Sequence, residues 1–236
     1  MKKEKSNWST DPKNKVTNVQ KLLSSLSLRA REEQFRLFWK LLKPNKSSRV
    51  LDVGFSPRLE PKDTNFFEKR YPYLNKLTVV SVEKVGSMAE LYPKIKFVEV
   101  KPNRKLPFKS KSFDIVVSWA TLEHVGSRNN QKNFIAELFR LGKKVFVTTP
   151  NKNFIYELHS GLFLVHWLPQ KYFATLCRLL KRDFWSKKSN LNLLNKKDLI
   201  NLISKNTYSK IKVLTFIMFR VLPSHLIMIK YHDQDK

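Results

Sequence analysis

The sequence predicts an α/β protein built on a doubly wound, mostly parallel sheet. Three observations point to it. Four short runs, residues 49–53, 77–82, 114–119 and 144–149, are rich in Val and Ile and nearly continuously apolar, as strands buried on both faces are. Helix-like stretches alternate with them, which implies right-handed crossovers. The chain is also long enough, at 236 residues with 42% hydrophobic and 12% aromatic side chains, to bury one large core.

The elements follow in order. The first fifteen residues are polar, with a charged start but no apolar stretch of the kind a signal peptide needs. From 16 to 42, Leu22, Leu23, Leu26, Phe35, Phe38, Trp39 and Leu42 recur at helical spacing, predicting one or two helices that Lys43-Pro44-Asn45 ends. Residues 1–48 thus read as an N-terminal tail and helices, and 49–236 as the main domain. The first strand closes on Gly54. Residues 65–71 and 130–141 read as helices; the second carries Phe134, Ile135, Leu138 and Phe139 on one face, with Gly142 as its expected cap. Residues 94–100 add a short extended segment. Residues 151–190, rich in aromatics, read as an insertion after the fifth strand. Residues 196–204 form a helix, and 210–216 and 226–231 form two strands joined by a turn at Pro223-Ser224, giving the sheet an antiparallel final edge.

Charge narrows the partners without naming one. The net charge is +27, from 34 Lys and 12 Arg against 19 acids. It is spread over the first 46 residues, 94–111 and 181–212, with no Arg-rich recognition segment. A solvated basic surface accounts for it, or an anionic partner; lipid headgroups and sugar-phosphate carriers suit it as well as nucleic acid does. The single cysteine, Cys177, excludes an internal disulfide and a cysteine-based zinc site. The apolar tract 213–229 is broken by Arg220, Pro223 and His225, and a spanning helix needs about 20 predominantly apolar residues. The expectation is a cytoplasmic protein, at most peripheral to a membrane.

In such sheets ligands bind beyond the carboxyl ends of the strands. Glu83, at the end of the second strand, is the acid that could accept hydrogen bonds from both ribose hydroxyls of an adenosine ligand; an ordinary exposed Glu is the alternative. Downstream, LPFKSKSFDIVVSWATLEHV (106–125) and FRLGKKVFVTTPN (139–151) join RVLDVG (49–54) and Glu83 in fixed order. Together they strongly resemble the class I S-adenosylmethionine-dependent methyltransferases, with a methyltransferase type 11-like domain, over about residues 49–150.

That resemblance implies a Rossmann-like fold, S-adenosylmethionine as cofactor, and a set of contacts. Asp52 and Gly54 would lie under the methionine moiety, Asp52 near its ammonium, with Ser56 in place of a second glycine. Glu83 would hold the ribose. Asn103 stands near the position where the family often has an adenine-contacting Asp, and Ser118, Trp119 and Ala120 would line the methionine side. One glycine suffices for this ligand, which has no pyrophosphate for backbone amides to cradle, whereas a dinucleotide needs more.

Proton-transfer candidates are His124, in the LEHV segment, and His159, in the insertion; a structural role for the Glu123-His124 pair is the competing reading. Glu157, His159 and His166 do not form a metal set if helical, because i and i+7 lie about 10 Å apart along the axis. The expected reaction is direct in-line methyl transfer to a small-molecule, glycan or lipid-linked acceptor. Two alternatives stay open. An RNA methyltransferase fits the charge, but Trp119-Ala120-Thr121-Leu122 stands where an N-P-P-Y or D-P-P-Y motif would be. A catalytically decayed binding protein on the same fold fits the reduced glycine motif and Lys101. A peripheral membrane scaffold is a further class.

Overall fold

The structure is a computed structural model that describes residues 18–57, 64–157, 160–203, 211–218 and 221–231. His159 lies outside the described residues, as do the side chains of Leu22, Leu23 and Leu26.

A seven-stranded sheet forms the centre, in the order β3-β2-β1-β4-β5-β9-β8. Its strands are β1 (Val50–Val53), β2 (Leu77–Ser81), β3 (Lys96–Glu99), β4 (Phe113–Trp119), β5 (Gly142–Pro150), β8 (Ile211–Met218) and β9 (Leu222–Lys230). β1 to β5 pair in parallel, and β9 runs antiparallel to both β5 and β8. The strand order reverses between β1 and β4, so the crevice at their carboxyl ends is where such a sheet takes a ligand.

Both faces of the sheet are covered, which is why its inner strands read as continuous apolar runs. Side chains alternate across the pleat. Leu51, Val53 and Val116 pack toward α4 (Arg128–Leu141) and α7 (Lys196–Asn201), with Ile135, Leu138 and Leu199. Val50, Ile115, Val117, Trp119 and Phe146 pack toward α1 (Asn18–Leu42) and α2 (Phe66–Arg70), with Phe38, Leu42 and Phe67. The segment 16–42 is one helix over its described part. Ala30, Gln34, Phe38 and Leu42 form its buried stripe at i, i+4, i+8 and i+12, and Lys43 leaves it at φ 48°. α3 (Met88–Leu91) follows β2.

The insertion holds the hairpin β6 (Tyr156–Glu157) and β7 (Leu162–Phe163), a 3-10 turn at Val165–Trp167, α5 (Gln170–Leu179) and α6 (Asp183–Ser186).

Gly142 caps α4 as expected, its N–H donating to Leu138 O, but it does so in an extended conformation (φ −98°, ψ 141°) that begins β5. Glycine is needed there for space, since a Cβ would stand 2.6 Å from Lys144 O and 2.8 Å from Val116 Cγ2. Pro223 and Ser224 lie inside β9 rather than in the turn before it. The register shifts between Phe216 and Ile217, opposite that point, and a β-bulge tolerates a residue with no N–H to donate.

Candidate functional site

The site is built from the loops leaving β1, β2, β3 and β4. After β1 the chain turns at Gly54 (φ 123°), and the N–H groups of Gly54 and Phe55 both donate to Val80 O, at 3.2 and 3.1 Å. This fastens the loop to β2, while the Phe55 ring packs 5.2 Å from that of Phe97. Asn65, held at φ 53°, clasps the loop from its far side: its Nδ2 donates to Ser56 O (2.7 Å) and its Oδ1 accepts from Ser56 N (3.3 Å). The Thr121 side chain fills the space beside Gly54, with Oγ1 1.9 Å from where a Cβ would be.

Asp52 shares a pleat face with Val50 and therefore points toward α2, where it meets Glu68. Both carboxyls are buried. Burial, and then the charge of Glu68, push Asp52 well above the usual carboxylate range. Burial likewise raises Glu68. Two carboxyls in contact away from water retain a proton between them, since both cannot ionise cheaply.

At the end of β2, Ser81 Oγ accepts from Glu83 N (3.1 Å), and Glu99 Oε1 accepts from Val85 N (2.8 Å), which sets the loop 82–87. Glu83 is half-buried there, beside Val82, which is 59% exposed. Asn103, at φ 56°, is exposed on the loop after β3.

At the end of β4 the groups are already engaged. Ser118 Oγ donates to Val53 O (2.8 Å), and Ala120, at φ 50°, donates its N–H to Thr148 O (3.0 Å). Trp119 sits among Phe38, Phe66, Phe67 and Phe146, with ring centroids 5.4–6.4 Å away. Its Nε1 is buried without a hydrogen-bond partner, as are Thr148 Oγ1 and both amide atoms of Gln34. Thr148 lies opposite Trp119 in the β4–β5 register, and Gln34 is one turn of α1 before Phe38.

The LEHV segment is anchored to the end of the insertion. Thr149 Oγ1 donates to Glu123 Oε2 (2.9 Å), and Asn192 N donates to Glu123 O (2.8 Å). His124 Nδ1 lies 2.8 Å from Asn190 O, which requires its proton on Nδ1, and its Nε2 is 3.7 Å from Glu123 Oε1.

On the insertion side a cavity of about 360 Å³ is lined by, among others, Lys152, His166, Trp167, Gln170, Lys188 and Asn192. His166 Nε2 (3.0 Å) and Trp167 Nε1 (2.8 Å) both reach Lys152 O, tying the insertion to the exit of β5. His166 is 7% exposed, and its Nδ1 is left as a buried acceptor without a partner. Among the described residues no cluster of three or more metal-ligating side chains occurs.

The structure thus gathers Asp52, Gly54, Ser56, Glu83, Ser118, Trp119, Ala120 and Asn103 around the carboxyl ends of β1 to β4. His124 stands apart, on the side of the insertion. Sequence reasoning passed over Asn65, Glu68, Gln34 and Thr121. For Glu68 a signal existed: an acid between Phe66-Phe67 and Tyr71, in a segment too apolar to be a surface turn.

The residues fit the nucleoside half of S-adenosylmethionine: Glu83 offers a carboxylate at the β2 exit, with exposed apolar Val82 next to it. At the positions where the resemblance would put the methionine moiety, Thr121 lies against Gly54, Asn65 hydrogen-bonds Ser56 and Glu68 meets Asp52.

Residues 72–145 match the family model described as a methyltransferase domain. No curated protein matches the sequence. The fold is shared with solved structures, methyltransferases among them. It resembles the CurJ carbon methyltransferase with a TM-score of 0.54 at 12% identity, over 93% of this chain and 56% of that one. It resembles the PH0226 protein of Pyrococcus horikoshii (TM-score 0.53, 14% identity, 87% and 91% covered). A putative methyltransferase from an antibiotic biosynthesis pathway of Anabaena variabilis is similar too (0.50, 16%, 80% and 66%).

Proposed function

From a chain that carries a methyltransferase domain in the class I fold, we infer an S-adenosylmethionine-dependent methyltransferase whose acceptor is a hydroxyl or carboxyl of a glycan or its lipid-linked carrier. The observation that carries this reading is the position of Glu83, half-buried at the exit of β2 beside the switch point of the sheet. When bound, the cofactor supplies an electrophilic methyl carbon. Glu83 accepts from the ribose hydroxyls, and Asn103 and Val82 flank the base.

The acceptor enters from the insertion. His166 Nδ1 can take a hydrogen bond only from a donor, such as a sugar hydroxyl, and Lys152 and Lys188 suit an acidic group on the same ligand. Fixing two reactants in line contributes about 7–11 kcal/mol to the barrier reduction, so the protein's main task is positioning. A base is needed only for a weakly acidic hydroxyl; His124, with its proton on Nδ1 and Nε2 toward Glu123, is the described candidate. His159 remains the second proton-transfer candidate.

A second reading is favoured by one feature: Gly54, Ser56 and Asp52 are engaged by Thr121, Asn65 and Glu68, which suits a binding protein that no longer turns over. Incubating the protein with donor tritiated on its methyl group, together with separate lipid-extract, polysaccharide and RNA fractions, tests these readings. Label in the lipid or polysaccharide fraction supports the proposal. Label only in RNA, or in none, contradicts it.

A further inference from the structure

The outer surface of the insertion holds apolar side chains that the fold leaves uncovered. α5 carries two apolar stripes. Phe173, Ala174 and Cys177 form the buried one, packed with Leu191 and Trp185. Tyr172, Leu176, Leu179 and Leu180, at i, i+4, i+7 and i+8, form a second stripe that faces outward, with Leu179 74% exposed. Phe163 on β7 is 62% exposed, and Leu164, Trp167 and Leu168 follow it, each about half exposed. A monomeric soluble domain seldom concentrates so many large apolar side chains in so short a stretch without a partner.

Charge indicates which partner. Between residues 160 and 190 the sequence has six cations, Lys171, Arg178, Lys181, Arg182, Lys187 and Lys188, against one acid, Asp183. Lys171, Arg178 and Lys181 flank the outward stripe of α5 and are exposed, and Lys171 Nζ lies 4.7 Å over the Tyr172 ring. Apolar residues interleaved with cations on a helix of one or more turns, and a Trp and a Tyr with polar tips, are what a leaflet of anionic lipid receives at its headgroup boundary. No described helix is long and apolar enough to cross a membrane.

We propose that the outward face of α5, with Phe163, Leu164, Trp167 and Leu168, docks on the surface of an anionic lipid bilayer. The insertion then lies on the membrane with the His166 cavity directly behind Trp167 and Leu168, both of which line it. The docking does not depend on cofactor binding or on methyl transfer.

Flotation of the full chain with vesicles of phosphatidylcholine alone, and of phosphatidylcholine with one part in three phosphatidylglycerol, tests this with no donor present. Binding is expected to the anionic vesicles and to fall as salt is raised. Leu179→Ser with Phe163→Ser should weaken it at least ~10-fold, since Leu179 is 74% exposed and Phe163, whose ring also packs 4.8 Å from that of Tyr156, is 62% exposed. Val221→Ser, a 75% exposed apolar residue elsewhere, should leave it unchanged. The proposal is overturned if anionic vesicles are not bound, if the double variant binds as wild type, or if the double variant instead dissolves a dimer seen by analytical ultracentrifugation.

Discussion

Thr121 Oγ1 stands 1.9 Å from the point where a Cβ on Gly54 would lie, so the loop after β4 fits into the loop after β1. The single glycine of the β1 exit is therefore required by a neighbouring side chain as well as by its own backbone, at φ 123°. Gly54→Ala should cost about 2–5 kcal/mol, from steric overlap and left-handed strain together. Thr121→Gly in the same chain should recover the steric part and leave the strain. Urea unfolding of both single variants and the double variant measures the coupling; additive losses would mean that the two residues do not share the space.

The Asp52–Glu68 pair makes stability depend on pH with a definite sign. Its carboxyls hold a proton more tightly in the folded chain than in the unfolded one, where they titrate near 4. Above that value the folded state holds more protons than the unfolded one, so the pair's contribution to stability declines from there up through its folded titration. Asp52→Asn cannot ionise and can still donate to Glu68. Relative to wild type it should gain stability as pH rises above the usual carboxylate range. Parallel curves for the two proteins above that range would refute the shared proton.

Cys177 offers an independent check on the insertion. Burial, and then the charge of Glu157, push its thiol up to about 11. It is fully buried against Phe173 and Leu191. A thiol reagent at pH 8 should modify the native protein only as fast as this region opens, and the denatured protein at once. Rapid modification of native protein would show that α5 does not pack on its inner stripe.

The sheet was legible because each inner strand is covered on both faces, leaving a continuous apolar run that needs no neighbour to be recognised. Gly142 was legible as special, but the sequence does not say that Val116 and Lys144 crowd it. Pro223 reads as a turn by itself; only the bulge in the register opposite makes it a strand residue. In the site, Glu83 could be placed from its position at a strand end. Trp119 could have been assigned to the α1 face from its parity with Ile115 and Val117. Asn65 was hidden because α2 is five residues long, too short for periodicity to show which side is buried, and Glu68 was marked only by its apolar neighbours Phe66, Phe67 and Tyr71. The contact between Thr121 and Gly54 joins positions far apart in sequence and leaves no local pattern.

The most direct test of the account is calorimetric titration of S-adenosylmethionine and S-adenosylhomocysteine into wild type and Glu83→Ala. Glu83 is half-buried on a loop held by other groups, so the variant should fold. The account predicts micromolar binding of both ligands by wild type, weakened ~10-fold or more in Glu83→Ala as two charge-assisted hydrogen bonds are lost. Absence of binding by folded wild type, or equal binding by the two proteins, would contradict it.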